Sequence, residues 1–538
     1  MHQVDASAGD TTHAQPQVRL PQGLVRGRRE NGLNVFRGLP YAAPPFGGNR
    51  FLPPQPPQPW QGVMDADAFA PASPQAPSDW QNNPALVGGE NCLTLNIWSA
   101  ADSGERKPVM VWIPGGGFMR GSASDVLYGG AGFAQQGLVF VSLNYRLGVD
   151  GFLHLPGVAA NRGLLDQIAA LQWIKTHIEL FGGDPDCITV GGSSAGAGSL
   201  TCLLGSPASR DLMHRAILQS PSVACQSLDE AAHAATVVAS LLGVATSKEG
   251  LSSAPLVDAV RVVARLAADA ALRRQHGLGA RNVFPLRPCI DGDLLQAPPL
   301  TALQTAWQAP GRQPIEVLVG ANAEEMRFYL VPGGEMDRIG MDRVHEFANA
   351  AGAGSQAVEA YAVARPGATP GELLCDLQTD FYYREPARRI AVLAATSRLQ
   401  ARHYEFAWRS PQQEGKLGAA HALELPFVFN TLGSPQGMAF AGPHPPAALA
   451  SRMHAAWGEF AMTGEVAGWP LFRPDTAMQW RLDEPCVVVK AMPSPQALLW
   501  RYADQAPPAA GGTKQSAKQP VRPGAQEPAI LRNSSRET

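Results

Sequence analysis

The segment Gly192-Ser193-Ser194-Ala195-Gly196 follows the β-branched run Ile188-Thr189-Val190 and leads into helix-compatible residues. It fits G-x-S-x-G at a strand-to-helix turn, the setting of a nucleophile elbow. Glycines let the chain turn there without a Cβ clash. The turn lifts the Ser194 hydroxyl to where a carbonyl can reach it. It also aims the amide of Ala195 at the oxygen that becomes negative. The plain alternative, an ordinary Gly/Ser turn, does not account for the strand before it and the helix after it.

A serine hydroxyl needs a base to take its proton and an acid to orient that base. Sites built on a nucleophile elbow run in chain order Ser, acid, His. Downstream, the apolar run Ile315–Val319 enters Gly320-Ala321-Asn322-Ala323-Glu324-Glu325-Met326, and either glutamate could serve. The competing reading is a solvated acidic helix start. Five histidines follow. His345 and His454 fall in helical patterns and His403 in a strand pattern, places that suit packing. His421 lies in a loop of small residues, Gly418-Ala419-Ala420-His421, which lets a substrate approach the ring. It is favoured over His444, which sits among Pro443, Pro445 and Pro446. Upstream, Pro114-Gly115-Gly116-Gly117-Phe118 follows a strand pattern. Successive glycines there leave backbone amides free of side chains, as an oxyanion hole requires. Arg120 comes three residues later. A guanidinium near that loop suits an acyl chain with a free carboxylate; a solvent-facing or ion-paired arginine is the competing reading.

The elements around these residues alternate. Pro108–Ile113, Leu138–Leu143 and Ile188–Val190 read as buried strands, and Leu164–Leu180 as a helix with apolar Leu165, Ile168, Leu171, Ile174 and Ile178. Later strands are expected at Ile315–Val319 and His403–Trp408. Strand–helix alternation predicts an α/β fold with a large, mostly parallel central sheet flanked by helices. Residues 226–284 and 331–400 read as helical insertions around it. Residues 1–16 and 504–538 are expected to be disordered, the latter for want of large apolar residues. Residues 17–503 then form one domain.

The 538 residues are 45% hydrophobic, enough for a sizeable core, and the net charge of −3 gives no reason to expect a nucleic-acid partner. No apolar run of about 18 residues predicts a transmembrane segment. The polar N-terminus lacks the apolar stretch of a signal peptide. Seven cysteines, an odd number with no C-x-x-C pair, suggest separate thiols rather than a zinc site or disulfide framework. These features predict a cytoplasmic location; the alternative is a secreted protein whose start is incomplete.

From Val18 to Arg501 the chain resembles the type-B carboxylesterases, which include carboxylesterases, cholinesterases and bacterial para-nitrobenzyl esterases. The resemblance rests on Phe36-Arg37-Gly38-Leu39-Pro40-Tyr41-Ala42, Glu90-Asn91-Cys92-Leu93-Thr94-Leu95-Asn96-Ile97-Trp98 and Asn144-Tyr145-Arg146-Leu147-Gly148. Phe181-Gly182-Gly183-Asp184-Pro185, Leu218-Gln219-Ser220, Trp457-Gly458-Glu459-Phe460-Ala461 and Trp469-Pro470 extend it. It implies an α/β-hydrolase fold and a triad of Ser194, Glu325 and His421. It further implies oxyanion donors at Gly116, Gly117 and Ala195, and ion pairs Arg50–Glu90 and Arg146–Asp166. Several positions depart from the family pattern. Ser193 stands where the elbow has Glu, Pro114 where His or Tyr begins the oxyanion loop, and Met326 where Gly follows the acid. Asp150 stands at an aromatic position. Cys92 keeps the place of a disulfide cysteine, with Ser73 near the expected partner's place. Trp80 lies near the choline-binding tryptophan of cholinesterases, at a spacing to Cys92 that favours a surface-loop aromatic.

The implied activity is hydrolysis of a small-molecule carboxylic ester through an acyl-enzyme, with no metal or organic cofactor. The alternative is an inactive binding or adhesion module on the same fold. Oligomeric state and substrate preference are not legible in the sequence.

Overall fold

Residues 15–77, 88–100, 104–278 and 284–491 are described by the structure, a computed structural model. Apart from Gln15 and Pro16, the segments 1–16 and 504–538 lie outside these residues, as does Trp80.

Among the described residues, fourteen strands are formed. β1 (Gln17–Leu20), β2 (Gly23–Arg26), β3 (Arg28–Glu30), β4 (Leu33–Pro40) and β5 (Val63–Asp65) come first. β6 (Thr94–Ser99), β7 (Lys107–Ile113), β8 (Val139–Leu143), β9 (Gly183–Ser193) and β10 (Arg215–Gln219) follow. β11 (Glu316–Asn322), β12 (Ala401–Phe406), β13 (Met478–Leu482) and β14 (Val487–Lys490) complete the set. Eleven form one sheet, ordered β14-β13-β12-β11-β10-β9-β7-β8-β6-β4-β3, and β1, β2 and β5 form a small one. Pairing is parallel from β8 through β7, β9, β10, β11 and β12 to β13. It is antiparallel at both edges.

The central strands are apolar on both sides because both faces are covered. Strand β7 makes this explicit. Val109, Val111 and Ile113 enter one core, while Met110 and Trp112 enter a second core across the sheet, the period of two that a pleated strand imposes. The helix expected over 164–180 runs Arg162–His177 and continues as a 3-10 turn to Phe181. Both expected helical regions form. Leu228–Leu242 begins with the Ser227–Glu230 capping box and Pro370–Thr379 with the Thr369–Glu372 box. A π-helical turn, Asp380–Arg384, joins Pro370–Thr379 to Glu385–Thr396.

Of the two implied ion pairs, one forms. Arg146 and Asp166, both fully buried, make a two-pronged pair at 2.7 and 2.8 Å. Arg50 does not pair with Glu90, which is exposed. Its Nε donates to Asp150 Oδ1 at 2.7 Å instead. Asp150, one of the departures from the family pattern, puts a buried carboxylate in the first turn of helix Gly148–Phe152, beside Arg50. Because both partners are buried, Asp150→Ala strands the guanidinium. We expect a loss of about 3–5 kcal/mol by denaturant titration, against at most about 0.5 for Glu90→Ala. The reverse ranking would return Arg50 to Glu90.

Among the described residues, which include all seven cysteines, no disulfide forms. The Ser73 hydroxyl bonds the buried Cys92 thiol, which burial pushes up to about 12. Among the described residues, no helix is long and apolar enough to cross a membrane.

Candidate active site

Strand β9 ends at Ser193 and helix Ala195–Gly205 starts two residues later. Ser194 is the hinge, at φ 58° and ψ −123°, a conformation that costs a non-glycine residue about 1–3 kcal/mol. Neighbouring elements hold it there. Its amide donates to Gln219 O at 2.9 Å, and its carbonyl accepts from Gly198 N at 2.8 Å. A Cβ on Gly196 would lie 2.1 Å from Ile113 O, so the glycine lets the new helix sit against β7. The loop after β7 packs on this elbow, since a Cβ on Gly115 would lie 2.5 Å from Ser193 O. Gly116 and Gly117 turn it with φ of 125° and 64°. Ala195 is the first helical residue, a position whose amide has no acceptor within the helix.

His421 is brought to Glu325. Its Nδ1 donates to Glu325 Oε2 at 2.5 Å, and its backbone amide donates to Glu325 O at 3.1 Å. Because a carboxylate only accepts, this bond assigns the proton to Nδ1 and leaves Nε2 as the basic nitrogen. Glu325 is fully buried, and its other oxygen accepts from Asn322 N at 2.7 Å. The neighbouring Glu324 turns elsewhere. It pairs with Arg327 at 2.9 Å and with Arg409, and accepts from Ala419 N at 2.9 Å. It therefore ties down the loop just ahead of His421. His444, the second candidate, is exposed.

Sequence reasoning missed the support around the histidine. Tyr383, in the π-helical turn, lies 4.6 Å from the His421 ring centre, and Tyr329 lies 5.6 Å from it. Their hydroxyls meet at 3.3 Å. Behind the pair, Glu424 accepts from Gln219 Nε2 at 2.9 Å and Asn322 Nδ2 at 2.7 Å. Burial, and then the nearby Glu325, push the Glu424 carboxyl up. Tyr329 four residues after Glu325, and Glu424 three after His421, were the only local signals. Nothing in the sequence points from Tyr383 to His421.

Ser194, His421 and Gly115–Gly117 line one cavity of about 370 Å³. Met119, Leu127, Phe284, Phe328, Leu425 and Phe440 make much of the wall. Helix Leu256–Ala268, from the first insertion, covers it with Ala264, Ala267 and Ala268. Ser193 also lines it, its buried hydroxyl without a partner among the described residues.

Asp125, a further wall residue, accepts from Leu127 N at 3.0 Å, yet burial pushes its carboxyl up to about 6. The folded protein therefore holds this proton from about pH 4, where an unfolded aspartate loses it, to about 6. Its contribution to stability is full below pH 4 and is lost as pH rises through 6. Asp125→Asn keeps the acceptor and removes the titration. We expect about 1–3 kcal/mol more stability at pH 8 than wild type, and a flatter profile between pH 4 and 6. Equal slopes in the two proteins would contradict this.

The chain matches the Carboxylesterase family over residues 14–488. It is 33% identical to the para-nitrobenzyl esterase of Bacillus subtilis (strain 168) over 484 residues, 87% of this chain and 94% of that protein. It is also 33% identical to the phenmedipham hydrolase of Pseudarthrobacter oxydans, over 86% of this chain and 93% of that one. The crystal structure of a Geobacillus stearothermophilus carboxylesterase superposes with a TM-score of 0.78 at 33% identity, over 90% of this chain and all of that one. With its α/β-hydrolase fold, the chain belongs to the carboxylesterase family and is a carboxylic ester hydrolase.

Proposed function

We propose that Ser194 is the nucleophile, His421 the general base and Glu325 the residue that orients it, in an acyl-enzyme mechanism. As Ser194 Oγ attacks the ester carbonyl carbon, His421 Nε2 takes the hydroxyl proton. The carbonyl oxygen becomes negative and is held by the amides of Gly116, Gly117 and Ala195. Collapse breaks the bond to the alcohol oxygen, which leaves with the proton from His421. Water then attacks the acyl-serine by the same route and releases the acid. Glu325 keeps the imidazole in the Nδ1–H tautomer and stabilises the imidazolium that forms.

The observation that carries this reading is the 2.5 Å bond from His421 to a fully buried Glu325, beside the cavity that His421 shares with Ser194. The mostly apolar wall suits a small ester. A fluorophosphonate reporter tests it: the reading requires one label per chain, on the peptide carrying Ser194. A protein that binds esters without turning them over, as an adhesion module would, takes no label. That no disulfide forms among the described residues is in keeping with a reducing, cytoplasmic setting for this enzyme.

A further inference from the structure

Arg120 follows the glycine loop and is held against it. Its amide donates to Gly116 O at 3.1 Å, and a Cβ on Gly116 would lie 3.0 Å from Arg120 Cγ. The side chain is half-buried and lines the Ser194 cavity, and it also borders a smaller pocket next to it. Three buried arginines have carboxylate partners, Arg50 with Asp150, Arg146 with Asp166 and Arg327 with Glu324, while Arg162 and Arg402 are met by backbone carbonyls. Among the described residues, the Arg120 guanidinium makes no ion pair or hydrogen bond.

The acid in the same wall does not neutralise it. Asp125 is shifted by burial and by its bond from Leu127, with no contribution from Arg120. The Arg120 charge is felt instead at Tyr329, which also senses Glu325 and Ser194. Arg120, Tyr329 and Ser194 line the same cavity. A half-buried guanidinium in a mostly apolar cavity keeps a planar set of donors matched to a carboxylate.

We propose that Arg120 makes the site selective for esters that carry a second, free carboxylate group, such as half-esters of dicarboxylic acids. The inference rests on the hydrolase reading above. Two arms locate the carboxylate. Monoethyl succinate against ethyl butyrate places it on the acyl side; acetoxyacetate against ethyl acetate places it on the alcohol side. The readout is the ratio of kcat/KM, charged over neutral, in wild type, Arg120→Gln, Arg120→Ala and Arg120→Lys. In at least one arm the ratio falls tenfold or more in the Gln and Ala variants. The Lys variant recovers part of it, because a point charge replaces a fork. A ratio that moves less than twofold in both arms overturns the proposal. Calorimetric binding of monoethyl succinate to Ser194→Ala, with and without Arg120→Gln, reads the same preference without turnover. If wild type hydrolyses no ester, the mechanism fails, while this binding comparison still decides the role of Arg120.

Discussion

With Ser194 as nucleophile, Ser194→Ala is expected to lower kcat for ester hydrolysis by roughly 10⁴ to 10⁶. Removing the oxygen leaves the cavity, the glycine loop and His421 in place, so the loss falls on the chemical step. The fold does not depend on the hydroxyl. The elbow is held by backbone bonds from Ser194 N to Gln219 O and from Gly198 N to Ser194 O, which alanine keeps. Alanine meets the same positive φ as serine, so thermal stability stays close to wild type. The measurements are kcat on p-nitrophenyl butyrate, fluorophosphonate labelling and the melting temperature. Near-normal turnover in the variant would move the nucleophile to Ser193, whose hydroxyl also borders the cavity. Loss of activity together with loss of folding would leave the assignment to the labelling experiment on wild type.

What the sequence revealed, and what it hid, follows from the range of each interaction. The core strands were legible because burial on both faces makes a strand mostly apolar, as in Val109–Ile113 of β7 and Val139–Val141 of β8. Strand β9 was read only as Ile188–Val190, although it runs Gly183–Ser193. Its start contains Asp184, Pro185 and Asp186, residue types that are depleted in strands. Against β7, Lys107 pairs with Gly183 and Val109 with Ile188. The ladder is interrupted between them, and that irregularity is where a proline can enter a central strand. The sharp strand–turn–helix at Ser194 was legible because its parts are contiguous. The loop of small residues around His421 was legible because it contrasts with the settings of the other four downstream histidines. The Arg50 pairing was not, because Arg50 and Asp150 are a hundred residues apart and their meeting is set by packing alone. The stacking of Tyr383 on His421 was hidden for the same reason.

Glu325→Gln is expected to lower kcat by about 10⁴ while binding of substrate changes little. Glu325 accepts two hydrogen bonds, from Asn322 N on one oxygen and His421 Nδ1 on the other. An amide has one oxygen and one NH₂, so it can satisfy only one of these donors. Keeping the short backbone bond from Asn322 turns the NH₂ toward His421. The imidazole then presents an unprotonated Nδ1 and carries its proton on Nε2, where it can no longer accept from Ser194. His421→Ala should match Ser194→Ala in severity, because the two act as a unit. Glu324→Gln separates the neighbouring glutamates. It weakens the pairs with Arg327 and Arg409 but leaves an oxygen for Ala419 N. We expect a stability loss of about 1–3 kcal/mol and activity within about tenfold of wild type. Steady-state kinetics and denaturant titration on the three variants decide the register. A loss near 10⁴ at Glu324 with a mild effect at Glu325 would place the acid one residue earlier. The buried bond to His421 would then be structural, because a glutamate tied to two arginines and the Ala419 amide would have to leave all three to orient the ring.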